Sequence, residues 1–114
     1  MGKGKFRPPN NEIFSLFRAM SHDEYRSINE NGNRFIDYDF AMSTKWFAVH
    51  LEDAHRWAAL FYPNDNYVII EIIVPREALS LMHHNPHLDM IGPAYAAEID
   101  LLNMVMKSLR RIYG

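Results

Sequence analysis

Arg18 is the first residue of this sequence whose surroundings suggest chemistry. It lies in an otherwise apolar run that favours a β-strand, "IFSLFRAM" over Ile13–Met20. An arginine in such a run is rarely buried without a partner. Two interpretations stay open. Either the head group lies in water at a sheet edge, paired with Glu24 or Asp23, or it forms a fork for a phosphate or a ribose-bearing ligand.

His50 stands where a strand pattern gives way to a helix pattern, in "STKWFAVHLEDAHRWA" over 43–58. A strand end that faces a helix N-terminus often lines a cleft, and the exposed amides there attract anions. The residues alone favour the simpler alternative, a packed or surface histidine.

Two glutamates are candidates for an acid in a site. Glu98 follows a loop that contains Gly92 and Pro93, so its carboxylate can reach a cleft. The alternative is a capping or solvent-facing acid at the start of the last helix. Glu71 is the only charge in the strand-like run 67–74, and an unpaired charge is costly to bury. We therefore expect Glu71 to face outward from an edge strand.

A histidine-rich segment, "HHNPH", raises the question of a metal site. His83, His84 and His87 have short spacing, and Asp89 follows. A zinc site needs three or four ligands on a rigid frame, but a proline interrupts this segment and the sequence predicts a loop. The chain has no cysteine, which excludes thiolate ligands, thiol nucleophiles and disulfides. We expect no metal.

The totals describe one globular domain. The chain has 114 residues, 48% of them hydrophobic, which is enough for one ordinary core. Its net charge of -2 does not suggest a broad nucleic-acid-binding surface. No apolar run approaches the roughly 20 residues of a membrane span, and the polar start does not resemble a signal peptide. We predict a flexible lead-in over 1–11 and a single domain over 12–114.

Local signals predict the elements that would position these residues. Ser21 and Glu24 have the spacing of a capping box, so a helix should follow the first strand over 22–29 and end at Asn31 and Gly32. Two acids after Leu51 should open a second helix. The further predictions are strands over 45–50, 67–74 and 95–99, a helical turn over 76–81, a loop over 83–93, and a final helix from Asp100 to Ile112. This order predicts an α+β domain with a small mixed sheet and short flanking helices.

Three segments together resemble a known family. "LFRAMSHDEYRSI", "KWFAVHLEDAHRWA" and "YVIIEIIVP" are similar to small ADP-ribosyltransferase-like toxin domains at the C-termini of bacterial polymorphic toxins. The resemblance covers 14–79 and, more faintly, 91–103. It implies an ADP-ribosyltransferase-like fold, NAD as a substrate, and transfer of ADP-ribose to a protein or RNA acceptor.

The resemblance also implies roles for individual residues. Arg18 matches the basic residue that binds the ribose and phosphate side of NAD. His50 stands where many members carry the last serine of a Ser-Thr-Ser-like triplet in the nicotinamide pocket, and the hydroxyls of that triplet are missing here. Glu98 matches the late catalytic glutamate best, with Glu71 as second choice. Such a carboxylate stabilises the positive charge that develops on the ribose.

Three aromatic side chains complete the predicted site. Trp46, Phe47 and Tyr95 are expected to stack on nicotinamide or adenine. The resemblance implies an enzyme that works in the cytoplasm of a target cell after delivery, with a cognate immunity protein as a further partner. Two alternatives stay open: a metal-independent RNase that uses His50 or the "HHNPH" histidines, and a non-catalytic binding or immunity-type module on a related fold.

Overall fold

The structure is a computed structural model that describes residues 12–36 and 43–114. The predicted lead-in over 1–11 lies outside the described residues, as does the segment 37–42. Within the described part of the chain, no helix has the length and apolar character needed to cross a membrane.

Helices and strands alternate along the first half of the chain and strands dominate the second. The helices are α1 (His22–Glu30), α2 (Leu51–Phe61) and α3 (Ile99–Val105), with 3-10 turns at Pro63–Asp65 and Arg76–Leu81. The described strands are β1 (Ile13–Met20), β2 (Thr44–Ala48), β3 (Val68–Pro75), β4 (His83–Leu88), β5 (Gly92–Glu98) and β6 (Ser108–Tyr113).

The six described strands form one sheet in the order β4-β5-β2-β1-β3-β6. The α+β class is confirmed, but the prediction of a mixed sheet is wrong, because every neighbouring pair is antiparallel. The connections explain this result. Consecutive strands that run in the same direction, such as β2 and β3 on either side of β1, are never neighbours, so the crossover through α2 does not create a parallel pair.

Pairing between β1 and β2 is much weaker than pairing elsewhere in the sheet. β1 pairs with β3 along its whole length, from Ile13 opposite Pro75 to Met20 opposite Val68. On its other side, β1 meets β2 at one pair, Phe17 opposite Ala48. The sheet is therefore divided into two three-stranded halves, β4-β5-β2 and β1-β3-β6, which diverge along this seam.

Helices cover both faces of this divided sheet. One core lies beneath α1 and α3 and contains Leu16, Phe47 and Leu102. The other lies between the sheet and α2, where Ala54, Trp57 and Ala58 supply the stripe that the helical spacing predicts. Strand β3 is buried on both faces over 68–70, as its β-branched run predicts.

The predicted final helix is too long. α3 ends at Val105, and Ser108–Tyr113 forms β6 against the open edge of β3. Leu109 and Ile112 fit the helical stripe, but in the strand they pack into the two different cores. The predicted loop over 83–93 is also largely wrong, because it contains β4 and the start of β5. Pro86 is tolerated there because β4 is an edge strand.

Candidate ligand cleft

The seam between β1 and β2 opens into a cleft of about 400 Å³ that α2 covers. Residues of β1, β2 and α2 line it, together with the turn after β4. The volume lies within the range of small-molecule sites, roughly 300–1,000 Å³. Weak strand pairing thus creates the space, and an aromatic helix face closes it.

Arg18 lies at this seam, where its side chain supplies a hydrogen bond that the backbones of β1 and β2 do not form. Its Nη1 donates to the Trp46 carbonyl oxygen at 3.2 Å, so a backbone acceptor that the seam deprives of a strand partner is satisfied. Its Nε and Nη2 donate to Glu24 Oε2 at 3.2 and 3.1 Å. The side chain is 19% exposed and lines the cleft. Of the two sequence interpretations, the pairing with Glu24 is therefore present, although at an inner strand rather than at a sheet edge.

Glu24 joins two cations beside the cleft. As the capping box predicts, Ser21 Oγ accepts from the Glu24 amide at 3.0 Å. The Glu24 side chain is engaged with Arg18 and also lies 3.6 Å from Lys45 Nζ, which is 2% exposed. Sequence reasoning did not single out Lys45. A lysine directly before two aromatic residues in a predicted strand was the available signal, because lysine is almost never buried unpaired.

The walls of the cleft are aromatic. Strand β2 contributes Trp46, α2 contributes Trp57 and Phe61, and Tyr62 follows that helix. Burial is the main factor that raises the pKa of the Tyr62 hydroxyl above its usual value. The nearby Glu24 carboxylate raises it further, while Arg18 and a hydrogen bond from the Ser21 backbone oppose the shift.

Asp89 brings a carboxylate to the cleft that sequence reasoning named only as a metal candidate. It lies at the first central position of the turn between β4 and β5, where Ile91 N donates to Leu88 O at 2.9 Å. Its Oδ2 accepts from Trp57 Nε1 at 3.0 Å. The two partners are 32 positions apart in the chain, so no local sequence pattern predicts the contact.

The predicted site residues divide between this cleft and other places. Arg18, Trp46 and Phe47 line the cleft. Tyr95 pairs with Phe47 on the neighbouring strand and stacks on His84 with 4.6 Å between ring centroids, but it does not itself line the cleft. His50 is the exposed N-cap residue of α2, where its side chain makes no capping hydrogen bond, and it does not line the cleft.

Glu98 lines a different cavity from Arg18. It is exposed at the end of β5 and accepts hydrogen bonds from Ser43 Oγ at 3.2 Å and from Thr44 Oγ1. The cavity beside it, about 430 Å³, is lined by Phe35 and by the start of α3. The structure therefore does not bring together the arginine and the glutamate of the predicted catalytic set.

The remaining candidates are placed as follows. Glu71 Oε1 accepts from Arg110 Nε at 2.8 Å. Its predicted position on an edge strand is wrong, because β3 lies between β1 and β6. Two of the histidines in question, His83 and His84, are adjacent on β4 and so point to opposite faces of the sheet. In the described ranges, no group of three or more histidine, aspartate or glutamate residues is arranged to hold a metal ion.

Comparisons with protein-family models, with curated proteins and with solved structures found no match to this chain.

Proposed function

We propose that this domain binds NAD in the cleft between β1 and β2 and transfers ADP-ribose to a protein or RNA acceptor. The observation that carries the proposal is the position of Arg18. The residue that the motif assigns to NAD binding lies at the one seam of the described sheet, on the edge of a cleft of ligand size.

The chemistry of the cleft is compatible with this substrate. Flat aromatic side chains such as Trp46 and Trp57 stack on a nicotinamide ring. The guanidinium of Arg18 has five N–H donors, and its four contacts with Glu24 and the Trp46 carbonyl leave at least one donor for a ribose hydroxyl or a phosphate oxygen.

The reaction itself places defined demands on the site. The bond between the ribose C1′ and the nicotinamide nitrogen breaks, and its electron pair leaves with nicotinamide, which becomes neutral. The ribose carries the positive charge of an oxocarbenium-like state until an acceptor hydroxyl, amine or other nucleophile attacks C1′ and releases its proton to solvent. A nearby carboxylate stabilises that charge, and Asp89 is a carboxylate that lines this cleft.

The test is an assay of nicotinamide release and of label transfer from NAD into a bacterial lysate. We expect release by the wild-type domain and a loss of at least about tenfold in Arg18→Lys, which keeps the charge but not the fork. Glu98→Gln is the matched control, because Glu98 lines the other cavity. It should retain release within about threefold.

Two results would change the assignment. Loss of release in Glu98→Gln alone would restore Glu98 as the catalytic carboxylate that the motif predicts. No release by the wild-type domain, although folded, would reject the transferase.

One observation favours the non-catalytic binding module as a second candidate. The charge of Arg18 is already paired with Glu24, as expected of a residue whose first role is to stabilise the seam. That module predicts no NAD binding, which a binding titration beside the assay distinguishes.

A further inference from the structure

We infer that the cleft selects ligands whose aromatic ring carries a positive charge, and that Asp89 supplies this selectivity. The inference rests on the proposed use of this cleft for ligand binding, but it does not require the transfer reaction. It extends the proposed function by naming the part of NAD that is recognised, the cationic nicotinamide ring.

The first observation is the balance of charge in the cleft. Among the described residues that line it, the charged side chains are Arg18 and Asp89. Arg18 is paired with the carboxylate of Glu24. Asp89 has the indole N–H of Trp57 as its partner, which is neutral, so its negative charge is not compensated by that contact. A cation that enters the cleft is therefore attracted to the Asp89 carboxylate.

The second observation is how firmly the Asp89 carboxylate is held. Oδ2 accepts from Trp57 Nε1 at 3.0 Å, and Oδ1 is not part of that hydrogen bond. The backbone holds the residue in place as well, because Asp89 and Met90 have φ of 54° and 62° and form a tight turn. Aspartate tolerates this left-handed conformation better than most residues. The carboxylate is thus fixed in place at the edge of the Trp57 ring.

The third observation is the nature of the walls. Trp46, Trp57, Phe61 and Tyr62 line the same cleft. The faces of aromatic rings attract cations, with tryptophan the strongest, and aromatic cages are the usual recognition site for quaternary nitrogen. A carboxylate beside such a wall adds a direct charge interaction. The combination fits the ring of NAD⁺, which is a cation, better than the ring of NADH, which is neutral.

The test compares two probes that differ in the charge of the ring, 1-methylnicotinamide and nicotinamide. Binding is followed by tryptophan fluorescence, since both tryptophans of the chain line the cleft. We expect the cation to bind about tenfold more tightly than the neutral ring. Asp89→Asn should reduce this preference to about twofold. Asparagine adopts the same left-handed turn, so the variant should fold.

Asp65→Asn is the matched control, because Asp65 is also an exposed acid with positive φ but does not line the cleft. It should retain the full preference. Equal affinity for the two probes, no binding of either, or an undiminished preference in Asp89→Asn would each overturn the inference. Release of nicotinamide from NAD by a domain that shows no preference for the cation would overturn the inference and leave the transferase standing. A clear preference without any release from NAD would overturn the transferase and leave the inference standing.

Discussion

Replacing Glu24 with glutamine removes the carboxylate that Arg18 and Lys45 share beside the cleft. Glu24 is 8% exposed, and its oxygens lie 3.1 Å from Arg18 Nη2 and 3.6 Å from Lys45 Nζ. Removing one partner of a buried ion pair costs about 3–5 kcal/mol, because the remaining charge stays in a poorly solvated place. Arg18 retains some contact with water and glutamine keeps one acceptor oxygen, so we expect Glu24→Gln to lower the free energy of unfolding by about 3 kcal/mol.

The assay is urea unfolding followed by tryptophan fluorescence. With a slope of about 1.5 kcal/mol per molar urea, the midpoint should fall by about 2 M. Asp23→Asn is the matched control on the same helical turn, because it loses the same charge near the same helix dipole. Asp23 is 65% exposed and pairs with Arg26 at 2.8 Å, so its loss should cost less than about 0.5 kcal/mol. Equal losses in the two variants would refute the reasoning that the shared carboxylate stabilises the seam.

The other predictions concern the turn after β4 and the core beneath α2. A methyl group at Gly92 would lie 2.1 Å from Asp53 Oδ2, so Gly92→Ala should cost about 2 kcal/mol in urea unfolding. Most of that loss should disappear when Asp53→Ala is the starting protein, and an unchanged penalty would show that the close approach is not its cause. Met90 has φ of 62° and is 93% exposed, so Met90→Gly should raise the free energy of unfolding by about 1 kcal/mol, whereas Met104→Gly in α3 should lower it by a similar amount. Burial, and then a hydrogen bond with Tyr113, raise the pKa of Tyr67 to about 12 in the folded protein. Stability from this group is complete below pH 10 and is lost as the pH rises from about 10 to 12. The free energy of unfolding of Tyr67→Phe should therefore fall less across that window than that of wild type, by about 1 kcal/mol after allowance for solvent screening.

Elements with local signals were predicted well from the sequence. Strand β1 has the predicted bounds Ile13–Met20. Helix α1 starts at the predicted His22, because its capping residue Ser21 is recognised from the residues next to it in the sequence. The left-handed backbone expected where α1 ends is present at Gly32. In each case, the residues that decide the structure lie within four positions of one another.

Elements that depend on distant partners were missed. Strand β6 exists because β3 offers an open edge about forty residues earlier in the chain, and the leucine spacing of the segment satisfies a helix equally well. Strand β4 contains a proline and three histidines, and its pairing with β5 rather than its composition makes it a strand.

The candidate site shows the same division. The unusual position of Arg18 was visible in the sequence because an arginine interrupts an apolar run. The contacts of Glu24 with Lys45 and of Trp57 with Asp89 join residues 21 and 32 positions apart, and they arise only when the strands diverge at the seam. The separation of Arg18 from Glu98 also follows from register, because Glu98 pairs with Thr44, four residues before the Ala48 that meets β1.

The central claim is that NAD⁺ binds at the seam between β1 and β2, and the side-chain N–H signals of the two tryptophans report on that place directly. In the ¹⁵N–¹H NMR spectrum of the labelled domain, we predict that NAD⁺ shifts the indole signals of Trp46 and Trp57, both of which line the cleft. The signal of Trp57 should respond strongly, because its N–H is bonded to Asp89. If NAD⁺ at up to about 1 mM, the upper end of usual substrate affinities, leaves both indole signals unchanged, the cleft does not bind it and the account is contradicted.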